Sequence, residues 1–195
     1  MARVAYLDQR DLAAGDQELL ARPINLFRAL AHSPAALAQW SRFGDWIRYH
    51  AAVDPRLREL AIVQVGLSAG NSYEVSHHAK IALDFGASAA DLHGLAAVAA
   101  GQPAGHFSQL DRAVLAVARQ VNADGSVDDG DWQLLCAALG QSAAVELTVI
   151  IGFYSMVVRV LGALAVDVEP EYQQYLSFFP GLRADAGDDA AGRRP

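Results

Sequence analysis

The sequence predicts an all-α fold, a helical bundle with an N-terminal helical arm. Three observations predict it: helix-starting residues recur along the chain, the apolar positions between them step by three and four, and strand signals are scarce. Pro23 opens a helix through Asn25, Phe27 and Leu30 that ends near His32, before Ser33 and Pro34. Pro34 begins the next, through Leu37, Trp40, Phe43 and Ile47, a spacing that keeps the apolar side chains on one face. Asp54 before Pro55 combines a side-chain acceptor at the N-cap with a φ already set for the first turn. That helix carries Leu57, Leu60, Ile62 and Val65 and fades between Gly66 and Gly70. Another starts near Asn71 or Ser72, runs through His78 to Leu83, and stops at Gly86.

Ser88 with Asp91, and Ser108 with Asp111, have the spacing at which a hydroxyl and a carboxylate cap the start of a helix. Residues 101–105 read as a loop and 122–130 as a turn region before a helix around Trp132, Leu135 and Leu139. Ser142 starts a long apolar helix. Residues 143–166 would span a bilayer by length, but Glu146 and Arg159 interrupt them and Gly152, Ser155 and Gly162 punctuate them. Because intramembrane charge is costly, a buried helix in a helical assembly is the better account, and no membrane association is expected. Neither a repeat nor a linker divides the chain. The expectation is one domain over residues 1–180, with an arm of about residues 1–50 and a disordered tail at 181–195.

Of the 195 residues 53% are hydrophobic and only 19% charged, so part of the apolar surface is expected to be covered by copies of the same chain. The net charge of -7, with no basic run, argues against a nucleic-acid partner. Lys80 is the only lysine, and the remaining cations are arginines, which suit a small acidic molecule. Cys136 is the only cysteine, so no internal disulfide forms, and the first residues carry no sustained apolar signal region. Both features point to the cytoplasm.

The chemistry concentrates in residues 58–78, RELAIVQVGLSAGNSYEVSHH. Asn71, Glu74 and His78, spaced by three and four, share one helix face, so Glu74 reaches His78 directly. Glu59 stands on the preceding helix, where a helical hairpin would bring it across. Two carboxylates and an imidazole in an apolar bundle are the raw material of proton transfer. The plainer reading of the same spacing is a surface ion pair with Glu59 solvated. Tyr73 is either a hydrogen-bond donor into the site or a core aromatic. Arg159 either holds a substrate carboxylate or pairs with Glu146 or a carboxylate of another subunit. His77 lies about 100° round the helix from His78 and is not expected to serve the same site. Glu74 and His78 would supply two metal ligands, but no third is evident, so no metal or other cofactor is expected.

These words resemble the carboxymuconolactone decarboxylase and alkylhydroperoxidase D superfamily. NLFRALAHSP (25–34), DPRLRELAI (54–62), YEVSHH (73–78) and ELTVIIGFYSMVVRVLGAL (146–164) carry the likeness, which covers most of residues 20–170. The resemblance implies an AhpD-like helical bundle and a homotrimer or homohexamer. In the peroxidase branch a glutamate precedes a Cys-x-x-Cys pair, and a histidine follows four residues after the second cysteine. In that register Glu59 takes the glutamate position and His78 the histidine, while Asn71 and Glu74 stand where the cysteines would be. No thiolate forms there, so peroxidase activity is disfavoured. The decarboxylase branch is similar in placing a glutamate four residues before the histidine, as Glu74 and His78 do. That likeness implies a cofactor-independent lyase or related isomerase acting on a small oxo, lactone or carboxylic acid. His78 would be the general acid/base, Glu74 its partner or a second base, Glu59 a relay carboxylate, and Asn71 a substrate-positioning group. The alternatives are a non-catalytic homo-oligomeric binding module with a vestigial site and, last, a peroxidase using Cys136.

Overall fold

The computed structural model describes residues 2–103 and 105–182, and among them there is no strand. The helices are α1 (Asn25–Leu30), α2 (Pro34–Tyr49), α3 (Pro55–Ser68), α4 (Ser72–Asp84), α5 (Ala89–Ala99), α6 (Gln109–Ala123), α7 (Asp129–Leu139) and α8 (Gln141–Leu164). Three 3-10 turns, Gln9–Asp11, Gln17–Leu20 and Gln173–Phe178, have no counterpart in the sequence reading. Such turns are too short to show a period. The turn region expected over 122–130 is narrower, because α6 runs on to Ala123 and α7 begins at Asp129. Most of the tail expected to be disordered, from residue 183 onward, lies outside the described residues. Leu182 packs against buried side chains.

Local signals start the helices. Asp54 accepts from the Leu57 amide at 3.0 Å, and Ser88–Asp91 and Ser108–Asp111 form full capping boxes. The turn between α3 and α4 is only three residues long. Gly70 adopts φ 61°, its amide bonds Leu67 O, and the Asn71 amide reaches back to Gly66 O at 2.9 Å. This glycine C-cap hands the chain directly to Asn71, whose Oδ1 accepts from the Glu74 amide and starts α4.

α3 is the central helix and packs against α4, α5, α6 and α8. Leu60, Ala61, Ile62, Val63 and Val65 are fully buried and point in every direction, as a helix surrounded on all sides requires. Polar residues of α3 are therefore buried too, and Arg58 and Glu59 must find partners inside. α3 and α4 approach closely at Gly66, where a Cβ would sit 2.8 Å from Val75 Cγ2 and 3.3 Å from Glu74 Cβ. α8 is apolar and long enough to cross a membrane, yet it packs on α3, α6 and α7 and buries Leu147, Ile150, Ile151, Val158 and Leu161.

The N-terminal segment and the run 166–172 that follows α8 are stitched together. The Tyr6 hydroxyl and the Ala2 amide meet Asp167 Oδ2, and the Arg3 amide bonds Leu164 O. The arm then crosses α4 and α8 and covers one side of the cavity described next.

Candidate functional site

Glu59 on α3 and His78 on α4 meet because the Gly66 contact and the Gly70 turn hold the two helices side by side. His78 Nδ1 lies 2.7 Å from Glu59 Oε2. The other oxygen, Oε1, accepts from Arg58 Nε at 2.9 Å. Arg58 is itself fixed by the carbonyls of Ile47 and Arg48 at the end of α2, and its guanidinium lies 5.0 Å from the Phe85 ring centroid. All three side chains are buried.

On its other edge His78 presents Nε2 to Glu74 Oε1, 3.2 Å away but not aligned for a hydrogen bond, so that Glu74 Oε1 is buried without one. The two carboxyls therefore differ in state. Burial pushes the Glu59 carboxyl up, but the adjacent His78 and Arg58 outweigh it and hold it below 4.5. Burial, and next the charge of Glu59, push Glu74 well above 4.5. Burial also lowers His78 below 6.5 against the pull of Glu59. These directions favour an ionised Glu59 accepting from Nδ1–H, a neutral imidazole with Nε2 unprotonated, and a protonated Glu74 beside it. An acid and a base stand next to each other, oriented by a fixed anion.

This pair forms part of the wall of a cavity of about 380 Å³. Glu74, His77 and His78 contribute from α4, Tyr154 and Phe153 from α8, and Trp40 and Arg48 from α2; Arg22 and Phe27 come from the arm. The Tyr154 ring meets His78 edge-on at 4.7 Å, and burial keeps its phenol protonated, a donor.

The structure places the remaining expected residues differently. Asn71 does not face the cavity: its carbonyl caps α4 and its amide reaches Val158 O at 3.4 Å, so its polar groups are used in holding the helix start. Tyr73 lines the cavity, but its hydroxyl accepts from the Leu26 amide and donates to Glu169 Oε1 at 3.1 Å. Arg159 is exposed and outside the cavity wall; it bonds Ser155 O and Asn122 O, and Glu146 instead accepts from the Ala52 amide. The reason is helical phase: Tyr154 and Arg159 are five residues apart and diverge around α8. His77, expected to stand apart from His78, lines the same cavity because the arm and the 166–172 run wrap that side of α4. It bonds Glu169 Oε2 at 2.7 Å and is stacked between Tyr73 and Tyr172 at 4.2 and 3.6 Å. Cys136 is on α7, packed against the α3–α6–α8 core and away from this wall.

Glu169, Arg48 and Tyr154 are the site residues that sequence reasoning did not assign, and His77 is one that it set apart from the site. Only Arg48 carried a usable signal, its four-residue spacing from Gly44 and Trp40.

The fold and the buried carboxyl–imidazole wall define an AhpD-like helical protein. A solved structure that the chain resembles is the alkylhydroperoxidase AhpD core of an uncharacterized peroxidase-related protein from Ralstonia eutropha JMP134. The TM-score is 0.72 with 20% sequence identity, and the match covers 90% of this chain and 95% of that one. At that identity the likeness concerns the fold. Residues 34–120 match the model of the Carboxymuconolactone decarboxylase family, which the chain resembles over that stretch. No curated protein matches the sequence.

Proposed function

We propose that the protein is a cofactor-independent enzyme of carboxymuconolactone decarboxylase type, moving protons on a small oxo, lactone or carboxylic acid through Glu74 and His78. The observation that carries this reading is His78 Nε2 standing 3.2 Å from Glu74 Oε1 in the cavity wall, with Glu59 fixing the opposite ring nitrogen at 2.7 Å. In an isomerisation, Nε2 takes a proton from the carbon next to a carbonyl and Glu74 returns one to the other end of the enolate. In a decarboxylation, the C–C bond to the carboxylate breaks, CO₂ leaves, and the carbanion takes the Glu74 proton, which solvent then replaces. Both reactions balance without an oxidant. Tyr154 supplies a donor to the developing enolate oxygen.

The test is solvent-deuterium incorporation, followed by NMR, across a panel of 2-oxo acids, 3-oxo acids and unsaturated γ-lactone acids. An active acid should lose its exchange or turnover by about 10²–10⁴-fold in His78→Asn, the usual worth of positioned acid–base catalysis. A folded His78→Asn protein working at the normal rate would end this reading.

We also propose that the chain works as a homo-oligomer. Val145, Val149 and Met156 are 50%, 44% and 42% exposed along one side of α8, a stripe that a second copy would cover. A trimer or hexamer is what the family resemblance implies.

A further inference from the structure

Trp40, Gly44 and Arg48 form a row on α2, spaced by four residues, and all three line the cavity. At one end the Trp40 ring meets Phe153 at 5.4 Å, making an aromatic corner. In the middle stands a glycine inside a sixteen-residue helix, where it is the poorest helix former apart from proline. Neither backbone nor packing asks for it. Its φ is not positive, and a Cβ built there meets nothing within 4 Å. What its missing side chain leaves is open volume on the cavity wall.

At the other end Arg48 is part-buried and, among the described residues, has no carboxylate within ion-pair reach. Asp45 and Glu18 stand on the exposed rim of the cavity, and Arg22 also keeps to the rim, 5.9 Å over the Phe27 ring. Arg48 is thus a part-buried cation facing an aromatic space across a gap that a glycine keeps clear.

We propose that this row is the recognition strip for an amphiphilic monocarboxylic acid: the carboxylate pairs with the Arg48 guanidinium, and the apolar body lies over Gly44 against Trp40 and Phe153. Gly44 then sets the bulk of acid that fits. The inference rests on the reading of this cavity as the reaction site and names the class of acid it takes.

The experiment is isothermal titration of the whole protein with 3-phenylpropionate, its uncharged amide, and succinate. Wild type should bind 3-phenylpropionate at least about tenfold more tightly than the amide, since a guanidinium–carboxylate pair exceeds a neutral contact by that margin. It should also bind it more tightly than succinate, which lacks the apolar body. Arg48→Gln should erase the preference for the acid over the amide. Gly44→Leu should abolish binding with the melting temperature unlowered, because leucine is the better helix former and its Cβ meets nothing within 4 Å. Gly44→Ala, the milder variant, should weaken binding by a smaller factor. Undiminished affinity in Gly44→Leu, equal affinity of acid and amide, or no binding by wild type would each overturn the strip. Titration reads binding in the absence of turnover. A binding result therefore fails separately from a turnover result.

Discussion

His78 Nδ1 lies 2.7 Å from a carboxylate oxygen of Glu59, a residue 19 positions earlier on the neighbouring helix. The contact selects the imidazole tautomer, because an ionised carboxylate accepts the Nδ1 proton and leaves Nε2 as the basic atom facing Glu74. Burial opposes the ionisation of Glu59, but His78 and, after it, Arg58 outweigh that burial.

Glu59→Gln therefore removes the anion while preserving shape and an acceptor for Arg58. Turnover of an active acid should fall about 10²–10⁴-fold, as when an orienting carboxylate is neutralised beside a catalytic histidine. Glu59→Asp should recover part of the rate. A Gln variant within threefold of wild type would show that the tautomer does not matter.

Glu74 predicts a pH effect on stability with a definite sign. The unfolded chain releases this proton near 4.5, whereas the folded protein holds it to a much higher pH. Stability from this group is thus complete below 4.5 and declines as pH rises toward the folded value. His77 and His78, both lowered by burial, act oppositely: their contribution is present above 6.5 and is lost as pH falls. The comparison must therefore be with Glu74→Gln, which lacks only the first effect. Urea unfolding should show the variant gaining on wild type as pH rises above about 5. A constant difference would place Glu74 in its ordinary ionised state.

Gly66→Ala tests how the fold sets the site. The new methyl would sit 2.8 Å from Val75 Cγ2 and 3.3 Å from Glu74 Cβ, so α4 must shift. A loss of about 1–3 kcal/mol of stability is expected from such overpacking. A further loss of rate should follow, because small displacements at a reacting pair are costly. Normal stability and rate would mean that α4 yields without moving Glu74.

Glu169 accepts from the Asn25 amide at 2.6 Å, from Tyr73 Oη at 3.1 Å and from His77 Nε2 at 2.7 Å, and so holds the arm to α4. Glu169→Ala strands two buried donors and one part-buried donor and should cost about 2–4 kcal/mol. The sharper readout is hydrogen exchange. The Asn25 amide, and the Leu26 amide bound to Tyr73, should lose protection before α3 does. Uniform loss across the chain would argue that the arm has no separate opening.

Val149→Glu addresses assembly. Light scattering of wild type should give a mass several times 20.8 kDa, and the glutamate should reduce it by placing a charge on the exposed α8 stripe. A wild-type mass of one chain would remove the proposed interface.

The helix starts at Asp54–Pro55, Ser88–Asp91 and Ser108–Asp111 were legible because a cap involves residues three apart, and the Glu74–His78 contact because four residues make one turn. Glu59 was placed across from that face on the strength of a hairpin, and the turn at Gly70 supplies it. Asn71 misled for a reason that is also local: an asparagine at that spacing serves equally as a helix cap, and the cap is what it became. Arg159 misled because an arginine in an apolar helix invites a buried partner, whereas this one lies on the solvent side of α8.

By itself, the order of caps, glycines and apolar steps determined an all-helical chain and a carboxyl–imidazole face on one helix, since those features depend on neighbours within a turn. The tertiary structure alone decided that Glu169 would reach His77 from 92 positions away, that the arm would enclose a cavity, and that Arg48 rather than Arg159 would face into it. Contacts at such separations depend on how whole helices pack, and no periodicity within a single helix encodes that.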